Sequence, residues 1–488
     1  MAPAKDTPIN IVGAGVFGLS TALHLGKRGY RNVAVFDKQP YDETLYSYMK
    51  GCDGASADIN KIIRSAYGSQ VEYQEMGLEA IDQWKAWNEE ISKADDLLFD
   101  LQKTDCLFHN SGNLTIVDGD TLPPFELATI KAMEENGHKD TQLVTADPRH
   151  VAIAETKGLG FAMDPFGRRK TGKHFLGVLD SSGGHAVADK ACRFALHKAR
   201  QYGATFVLDS TAGAFVSFTT SSSGQVTGIK TKDGKTHEAE LTIMACGGWT
   251  PSLLPQLDGL CETTGGSVII YKIPRSSPLW DKLSPERFPS WSWKIRDGAE
   301  GGLYGFPRDE RGNLKIGYRG TKYTNPQIQP DGKERSVPIT RWSGSETGFE
   351  LKAIPAQATT TVQKFVHEYL PEMVAEGIEV ALTRMCWYTD SFDNHYVVDH
   401  APGHKGLFVA TGGSGHAFKY LPNLGKWVVD IIEQVNVDRP AIKAWKWRSL
   451  ADGKPINVLM EGSQGDRALN NVALSDLRGI GEHESVKL

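Results

Sequence analysis

Apolar runs near the start of the chain alternate with polar turns in a regular order. Residues 9–12 form a short, largely apolar run of the kind that buried strands show. Glycines spaced G-x-G-x-x-G follow, and an apolar-periodic segment through Leu25 predicts a helix that ends near Gly29. A second apolar run over 32–36 ends in Asp37. The pattern therefore predicts a strand, a tight turn, a helix and a second strand in succession.

The glycines of this turn are spaced as a dinucleotide-binding turn requires. Gly13 permits the tight turn, Gly15 lets a pyrophosphate approach the backbone, and Gly18 lets the helix pack closely on the strand. The phosphates would lie at the helix N-terminus. Asp37, 19 residues after Gly18, stands where a carboxylate binds the ribose hydroxyls. Three glycines could match by accident in a chain that holds 51, but the flanking strands, the helix and the acid favour a dinucleotide site.

Two later segments repeat the pattern of an apolar strand that runs into glycines, at 240–249 and 407–416. Glycine at a strand end marks a place where a ligand comes close to the backbone. Three such ends on one ligand suit a long cofactor, so FAD fits these features better than NAD. The helix predicted over 420–432 would direct its positive N-terminus at the last glycine loop, where it could stabilise the negative charge of a reduced flavin.

The rest of the chain adds further helices and strands. The pattern predicts an amphipathic helix over 72–91, a strand over 113–117, a helix over 188–202 and a hairpin-like pair of strands over 213–231. Lys61 and Arg64 are three positions apart, which would place both on one face of a helix. From spacing alone, Lys61 and Arg64 could equally be exposed basic residues on the surface with no ligand.

Composition and charge narrow the class of protein. The chain has 488 residues, 40% of them hydrophobic and 23% charged, which allows two or three globular domains with a large core. The net charge of −5 gives no reason to expect nucleic acid or an anionic membrane as a partner. No apolar run is long enough to span a bilayer, and residues 1–6 lack the apolar segment of a secretory signal. We therefore expect an intracellular protein, peroxisomal or cytosolic.

The six cysteines are scattered, without a C-x-x-C pair or the His/Cys spacing of a metal site. This favours a reducing compartment and predicts no bound metal. The chain ends in Val486-Lys487-Leu488, a weak version of the Ser-Lys-Leu peroxisomal signal because valine replaces the small polar residue. The sequence therefore does not decide between the peroxisome and the cytosol.

Five segments of the chain belong together as a set: the N-terminal turn and residues 62–68, 304–307, 386–390 and 413–419. Together they resemble the monomeric sarcosine oxidase group of flavin amine oxidases. Within that group the chain is most similar to the fungal fructosyl amino acid oxidases (amadoriases) and to L-saccharopine or L-pipecolate oxidases. The resemblance runs from residue 8 to about residue 435, and it is specific for the group rather than for a substrate.

The resemblance implies the fold of the D-amino-acid-oxidase-like superfamily. In that fold an α/β, Rossmann-like FAD-binding domain is interleaved with an α+β substrate domain built on an antiparallel sheet. We place the FAD-binding domain at 1–95, 165–255 and 385–450, the substrate domain at 96–164 and 256–384, and a surface extension at 451–488.

The resemblance also implies how FAD is held. In the family, a cysteine at the position of Cys386 is bonded to the flavin 8α-methyl group. From the residues alone, a buried structural thiol is the alternative, and the Cys-Trp-Tyr-Thr context favours the covalent bond. The expected cofactor-binding residues are Gly13, Gly15, Val16, Phe17, Gly18, Asp37, Lys38, Ser56, Lys61, Val207, Gly247, Trp249, Cys386, Gly413, Ser414, Gly415, His416 and Lys419.

Three cations match functional positions of the family. Lys315 matches the lysine placed over the flavin, where a preorganised positive charge lowers the barrier to electron transfer to oxygen. From pattern alone it could be a surface lysine, with Leu314 and Ile316 on the other face of a strand. Arg64 and Lys419 match the positions that hold the substrate carboxylate.

Two positions depart from the sarcosine-type pattern. Arg319 replaces a histidine and Lys61 replaces an arginine, and this positive charge would suit a substrate larger or more acidic than sarcosine. We expect Arg319 and Tyr304 at the catalytic site. The candidates for an aromatic wall over the flavin are Tyr304, Phe306, Trp291 and Trp293, although aromatic residues belong equally often to a core.

The resemblance implies an FAD-dependent amine oxidase. A secondary amine R-NH-CHR′-COO⁻ would be oxidised to an imine, which hydrolyses, while O₂ becomes hydrogen peroxide. We expect a monomer whose partners are this small molecule and O₂. The alternatives are a flavin dehydrogenase with another electron acceptor, and a nicotinamide-dependent dehydrogenase or non-catalytic nucleotide-binding protein. The substrate stays open among Amadori compounds, saccharopine, pipecolate and N-methylated amino acids.

Overall fold

The computed structural model describes residues 2–340, 353–448 and 459–475. The strands in these ranges are β1 (Ile9–Val12), β2 (Val33–Asp37), β3 (Asn60–Ile63), β4 (Phe108–His109), β5 (Asn113–Val117), β6 (Gln142–Val144), β7 (Leu176–Asp180), β8 (Gly184–Val187), β9 (Thr205–Leu208), β10 (Phe215–Thr220), β11 (Val226–Thr231), β12 (Thr236–Glu238), β13 (Leu241–Met244), β14 (Cys261–Lys272), β15 (Ser290–Trp293), β16 (Leu303–Gly305), β17 (Asn313–Tyr323), β18 (Pro326–Ile328), β19 (Glu334–Ser336), β20 (Ile354–Pro355), β21 (Val380–Ser391), β22 (Val397–His400), β23 (Leu407–Thr411) and β24 (Leu474–Ser475). The α-helices are α1 (Val16–Lys27), α2 (Tyr41–Thr44), α3 (Val71–Lys93), α4 (Pro124–Glu135), α5 (Pro148–Thr156), α6 (Ala188–Gln201), α7 (Thr250–Leu253), α8 (Leu279–Lys282), α9 (Ala356–Tyr369), α10 (Pro371–Ala375), α11 (Leu424–Glu433) and α12 (Pro440–Trp445).

A six-stranded sheet is built around the N-terminal strand. Its order is β22-β23-β13-β1-β2-β9, and each neighbouring pair is parallel except β22 with β23. Helices α1, α6 and α11 cover one face, where Ile11, Val35 and Ile243 belong to a buried core. The opposite face carries Val12 and Met244 and packs against the small sheet β10-β11-β12. The predicted strand, turn, helix and strand are confirmed as β1, α1 and β2.

An eight-stranded sheet forms the other large sheet of the molecule, in the order β21-β14-β17-β16-β15-β5-β7-β6. Its neighbouring strands are antiparallel except β15 and β5, which are parallel. The antiparallel sheet expected for the substrate domain is therefore mixed at this one pair. Strand β7 and residues 385–391 of β21 lie in ranges that we predicted for the FAD-binding domain, yet both strands pair in this sheet.

The two faces of the eight-stranded sheet differ in character. On β17, Leu314 and Ile316 belong to the apolar core, so strand alternation places Lys315 on the opposite face. Trp291 and Trp293 share the core side, where Trp291 stacks on a phenylalanine of α9 with 4.3 Å between ring centroids. The expectation that these two tryptophans form a wall over the flavin is wrong, because the alternation of β15 turns them away from the polar face.

Two local expectations fail near the site. The segment that contains Lys61 is strand β3 and not a helix, because it pairs antiparallel with β8. Its two isoleucines suit a strand. The last predicted helix begins at Leu424, after a 3₁₀ turn at Phe418–Tyr420. Pro422 has no backbone N–H, so it cannot continue a helix through this turn.

Part of the C-terminal segment that the structure describes contributes to the core. Leu469 is 1% exposed and belongs to the apolar cluster of the eight-stranded sheet. Strand β24 pairs with β20. The segment expected to be a surface extension is therefore anchored in the fold at Leu469 and β24. Val486-Lys487-Leu488 lies outside the described residues. Within those residues no helix combines the length and apolarity needed to cross a membrane.

Candidate functional site

The first of two adjoining cavities has a volume of about 240 Å³ and lies at the carboxyl ends of the parallel strands. Its walls come from the turn after β1, the end of β2, the segment 213–215, and the glycine-rich ends of β13 and β23. This is the edge at which doubly wound sheets bind their ligands.

The turn after β1 leaves backbone where a ligand can approach. Gly13 has φ +107°, and a Cβ at this position would lie 2.3 Å from the carbonyl oxygen of Ala245. Gly15 faces the cavity, and its neighbour Val16 donates its N–H to Ser56 Oγ at 3.0 Å. The N-cap residue of α1 is Gly15, which has no side chain that could cap the helix. The positive end of α1 is thus available to an anion such as a pyrophosphate.

Acidic and aromatic groups line the other end of this cavity. Asp37 accepts the N–H of Ala14 at 2.7 Å through Oδ2 and that of Gln39 at 2.9 Å through Oδ1. These two bonds orient a carboxylate that keeps lone pairs for ribose hydroxyls. Lys38 Nζ lies 4.4 Å from the centroid of the Trp249 ring. The helix end, the bare glycine backbone and the oriented acid together fit FAD.

The second cavity, of about 390 Å³, adjoins the first. Its walls are one face of the eight-stranded sheet, the start of α4 and the segment after β3. A ligand in the second cavity would therefore contact the end of a cofactor in the first. The residues that line both cavities are Lys61, Tyr388, Ser414, Gly415 and Phe418.

Arg64 and Lys419 face the second cavity, and within the described residues neither forms an ion pair with a carboxylate. Arg64 donates to the carbonyl oxygen of Ala66 at 2.6 Å, and Lys419 donates to the hydroxyl of Tyr67 at 2.6 Å. Burial, and then the charge of Arg64, lower the pKa of Lys419 well below its usual value. Two neighbouring basic groups without an internal anion suit a ligand carboxylate.

A hydrogen-bond chain fixes the partner of Lys419. His416 Nδ1 lies 3.0 Å from the hydroxyl of Tyr67 and 3.1 Å from that of Tyr396, and Nε2 lies 3.0 Å from the carbonyl oxygen of Asn394. A carbonyl only accepts, so Nε2 carries the proton and Nδ1 accepts. Burial, and then Lys419, lower the pKa of His416 well below its usual value, which keeps the ring neutral.

Arg319, which replaces a histidine of the sarcosine-type pattern, forms an ion pair inside the protein. Its Nη2 lies 2.9 Å from Oδ2 of Asp390, and Nζ of Lys322 lies 2.8 Å from Oδ1 of the same carboxylate. Asp390 also accepts a hydrogen bond from the hydroxyl of Thr264. A Cβ on Gly415 would lie 1.5 Å from Arg319 Nη1, so a glycine is required there. The positive charge of Arg319 is thus balanced in part inside the protein.

Asp58 joins three further cations beside the cavities. Its Oδ2 lies 2.8 Å from the ammonium nitrogens of both Lys315 and Lys61, and 3.5 Å from Nη2 of Arg384. Lys315 has 0% of its side chain exposed, which excludes the alternative of a surface lysine. It lines neither of the two cavities, whereas Lys61 lines both.

Cys386 lies on β21 and is 1% exposed. Its thiol accepts a hydrogen bond from Arg384 Nη2 at 3.8 Å and belongs to an apolar cluster against which Tyr388, a residue of both cavities, packs. The next residue, Trp387, lines the first cavity. The thiol is therefore placed beside the junction of the two cavities.

Most of the predicted site residues meet at these cavities. Those at the first cavity are Gly13, Gly15, Val16, Phe17, Asp37, Lys38, Ser56, Lys61, Gly247, Trp249, Gly413, Ser414 and Gly415. Those at the second cavity are Lys61, Arg64, Tyr304, Arg319, Ser414, Gly415, His416 and Lys419. Those that line neither are Gly18, Val207, Lys315 and Cys386.

Two of these outlying residues have other places in the fold. A Cβ on Gly18 would lie 1.8 Å from the carbonyl oxygen of Gly13, so Gly18 allows the close packing of α1. Val207 pairs with Phe36 in the sheet, and Gly213–Phe215 line the cavity in its place.

Three residues of the site were missed by the sequence analysis: Tyr67, Asp58 and Asp390. Tyr67 lies within residues 62–68, one of the segments that carry the family resemblance, and this position could have identified it as a site residue. Asp58 contacts Lys315 across 257 positions of the chain, so no local pattern could pair them.

Comparisons with known proteins agree with this geometry. A family model described as FAD dependent oxidoreductase matches residues 9–431. L-saccharopine oxidase of Schizosaccharomyces pombe is 25% identical over 454 residues, which cover 90% of this chain and 93% of that protein. Monomeric sarcosine oxidase of Bacillus sp. (strain NS-129) is 22% identical over 421 residues, which cover 86% of this chain and 91% of that protein. The solved structure of fructosyl peptide oxidase from E. terrenum matches with a TM-score of 0.75 at 23% identity, covering 97% of this chain and 98% of that one. These matches confirm the fold and the family resemblance that the motifs predicted.

Proposed function

The chain belongs to the FAD dependent oxidoreductase family, and on this premise we propose that it is an oxidase of secondary amines that carry a carboxylate. When bound, FAD would accept two electrons from the CH–NH group of the amine and pass them to oxygen. The amine loses two electrons and two protons and becomes an imine. Water splits the imine into an amine and a carbonyl compound, and O₂ takes up two electrons and two protons to form hydrogen peroxide.

The observation that carries the proposal is the pair Arg64 and Lys419. Of the described cations that line the second cavity, these two alone lack a protein carboxylate, since Asp58, Asp390 and Glu126 pair the others. A guanidinium and an ammonium side by side suit an amino-acid carboxylate. Binding there would hold the neighbouring C–N bond next to the first cavity.

The surroundings of the carboxylate site favour the reactive form of the amine. Positive charge from Lys61 and Arg64 disfavours a protonated substrate nitrogen, so the lone pair of the amine stays available. Lys419 is held by the hydroxyl of Tyr67, which the neutral His416 fixes in turn. This arrangement positions the substrate before the reaction and reduces the reorganisation that the reaction requires.

Oxygen is the electron acceptor in this proposal because positive charge lies beside the junction of the cavities. Lys61 and Lys315 share Asp58, and electron transfer to O₂ creates negative charge that such cations stabilise. Lys315 acts from behind the cavity wall, with Lys61 nearer to the bound molecules. In the competing hypothesis, a flavin dehydrogenase with another acceptor, this charge has no such role.

Covalent attachment of FAD through Cys386 is part of the proposal. It is supported by the burial of the thiol in a cluster against which Tyr388, a residue at the junction, packs. We expect the yellow colour to stay with acid-precipitated wild-type protein and to be released into the supernatant from Cys386→Ser. Cys261→Ser, which changes a buried cysteine on the neighbouring strand β14, is the control and should keep the colour in the pellet. Colour in the wild-type supernatant would contradict the bond.

The function itself is tested by a peroxide-coupled screen of N-substituted amino acids. The relatives are named for L-saccharopine, sarcosine and fructosyl peptides, so these three chemistries come first. We expect peroxide from at least one of them, and a loss of about 100-fold in kcat/KM in Lys419→Met because a charge-assisted contact to the carboxylate is lost. Turnover with an artificial electron acceptor but without peroxide would favour the dehydrogenase instead.

A further inference from the structure

Arg384 is a buried cation that the proposed function does not use. It stands two positions before Cys386 on β21, so strand alternation places both side chains on one face of the eight-stranded sheet. Its Nη2 donates a hydrogen bond to Sγ of Cys386 at 3.8 Å. Arg384 is 2% exposed and Cys386 1%, so water screens little of the interaction between the guanidinium and the sulfur.

This contact distinguishes Cys386 from the other five cysteines, all of which lie in the described ranges. Where those thiols form hydrogen bonds within these ranges, their partners are hydroxyl, amide or carbonyl groups, which carry no charge. Cys386 shares an apolar cluster with Val268, Ile270 and Leu382. Apolar neighbours by themselves disfavour the thiolate, which is the nucleophilic form of cysteine. The guanidinium acts in the opposite sense.

Arg384 is held in place, and its charge is balanced only in part. Its guanidinium carbon lies 4.2 Å from the centroid of the Tyr48 ring, and its Nη2 lies 3.5 Å from Oδ2 of Asp58. The same oxygen already has the ammonium nitrogens of Lys61 and Lys315 at 2.8 Å. Within the described residues, Asp58 is the only carboxylate that pairs with Arg384. One carboxylate thus faces three basic side chains, and a negative charge on the nearby sulfur would offset the excess.

We propose that Arg384 activates Cys386 as the nucleophile that bonds to FAD. The inference rests on the covalent attachment in the proposed function, and it assigns to Arg384 the stabilisation of the attacking thiolate. The thiol gives its proton to solvent, and the sulfur forms an S–C bond to the 8α carbon with its freed electron pair.

The remaining atoms and electrons balance through oxygen. The 8α-methyl group loses one proton to solvent, and the electron pair of its broken C–H bond passes through the flavin ring to O₂. Oxygen takes up these two electrons and two protons and becomes hydrogen peroxide. The two protons equal those that the thiol and the methyl group release, so attachment needs no reactant beyond FAD and O₂.

The rate of attachment tests the role of Arg384 without any turnover of substrate. Full-length apoprotein from riboflavin-starved cells is mixed with FAD, and the flavin fluorescence of the protein band in a denaturing gel follows the bonded fraction. Arg384→Gln keeps a hydrogen-bond donor but no charge. We expect it to bond FAD about 100-fold more slowly than the wild type does, as for removal of one preorganised charge. Its rate should rise about tenfold per pH unit as alkali ionises the unassisted thiol.

Two further variants separate charge from structure. Arg384→Lys keeps the positive charge and should stay within about tenfold of the wild-type rate. Arg308→Gln is the matched control, because Arg308 and Arg384 both line a third cavity of about 370 Å³. Arg308 donates to the carbonyl oxygens of Trp280 and Asp309, so this variant should bond FAD at the wild-type rate.

Three results would overturn the role of Arg384: a wild-type rate in Arg384→Gln, a rate in Arg384→Lys as low as in Arg384→Gln, or loss of FAD binding in Arg384→Gln. Bonded FAD in the wild type would then show that the covalent attachment stands without Arg384. Wild-type protein that never bonds FAD contradicts the attachment and the role of Arg384 together. Peroxide from such protein with dissociable FAD would show that the oxidase function stands alone.

Discussion

Lys315 combines complete burial with a carboxylate 2.8 Å from its ammonium nitrogen. Burial lowers the pKa of Lys315 to about 7, Asp58 opposes this shift, and Lys61 adds to it. The charged form therefore predominates below neutral pH and is lost as the pH rises through about 7. If this charge assists the reaction with oxygen, the rate must follow the same titration.

We expect the rate constant for reaction with O₂ to fall as the pH rises through about 7. Lys315→Met should lower that constant about 100-fold at low pH, which is typical for removal of one preorganised charge stabiliser, and should leave no pH dependence in this range. Stopped-flow mixing of the substrate-reduced enzyme with oxygen measures it. Lys272→Met on strand β14 is the exposed control. Identical rates in Lys315→Met and wild type would remove Lys315 from the oxygen reaction.

A second prediction at this scale concerns Lys419. Its pKa is lowered by burial and by Arg64, and the carboxylate of a bound ligand would raise it again. An alkylthioacetic acid is a suitable ligand, because sulfur replaces the oxidisable amine nitrogen. Its binding at neutral pH should take up a proton, and its affinity should fall as the pH rises. Calorimetry in buffers of different ionisation enthalpy measures this uptake. The Lys419→Met variant should bind this ligand more weakly and without proton uptake. Lys426→Met, on α11, is the control and should behave as the wild type does. Proton uptake in Lys419→Met would show that Lys419 is not the group that takes up the proton.

At the scale of the element, the turn between β1 and α1 depends on the space around one glycine. Gly13 and Gly29 both have positive φ, +107° and +85°, but only Gly13 has backbone atoms close to the position of a Cβ. Gly29→Ala should cost about 1–2 kcal/mol through its backbone conformation and keep FAD. Gly13→Ala must in addition displace Ala245, so we expect a larger loss in melting temperature and little bound FAD. Absorbance per mole of protein and thermal melting measure both, and equal behaviour of the two variants would be the contrary result.

The eight-stranded sheet shows how an element sets the roles of its residues. Along β15 the side chains alternate between the tryptophans of the core and Ser292, which lines the second cavity. Tyr304 pairs with Ser292 and shares that side. Alternation was visible in the sequence, but the side that faces the cavity depends on the strands and helices packed against each face.

At the scale of the whole molecule, Asp58 ties the segment before β3 to two strands of the eight-stranded sheet. Burial alone would raise the pKa of Asp58, but the charges of Lys315, Lys61 and Arg384 lower it below its usual range. The stabilisation is therefore complete above the unfolded pKa of about 4 and is lost progressively as the pH falls below it.

Asp58→Asn should destabilise the protein by about 3–5 kcal/mol at neutral pH, because it leaves buried cations without their carboxylate. The difference from wild type should shrink as the pH falls below about 4. Asp258→Asn, which also faces two cations but is one-third exposed, should cost less than about 1 kcal/mol. Denaturant unfolding at several pH values measures these free energies. A difference that does not change with pH would show that the charge of Asp58 is not the cause.

The sequence by itself determined the strand, turn and helix at the N-terminus, the dinucleotide site and the family. These depend on residues within about one βαβ unit, where the spacing of Gly13, Gly15 and Asp37 already contains the geometry. It also predicted that Arg64 and Lys419, in motifs that lie far apart in the chain, bind one ligand, and the structure brings both to the second cavity.

Only the tertiary structure decided which cations remain available to a substrate. Asp58, in the segment before β3, neutralises Lys315 in part, and Asp390, on β21, does the same for Arg319. Each carboxylate lies far along the chain from its cation. Charge balance is a property of contacts between elements, and contacts of that range are fixed by sheet register and packing rather than by local sequence.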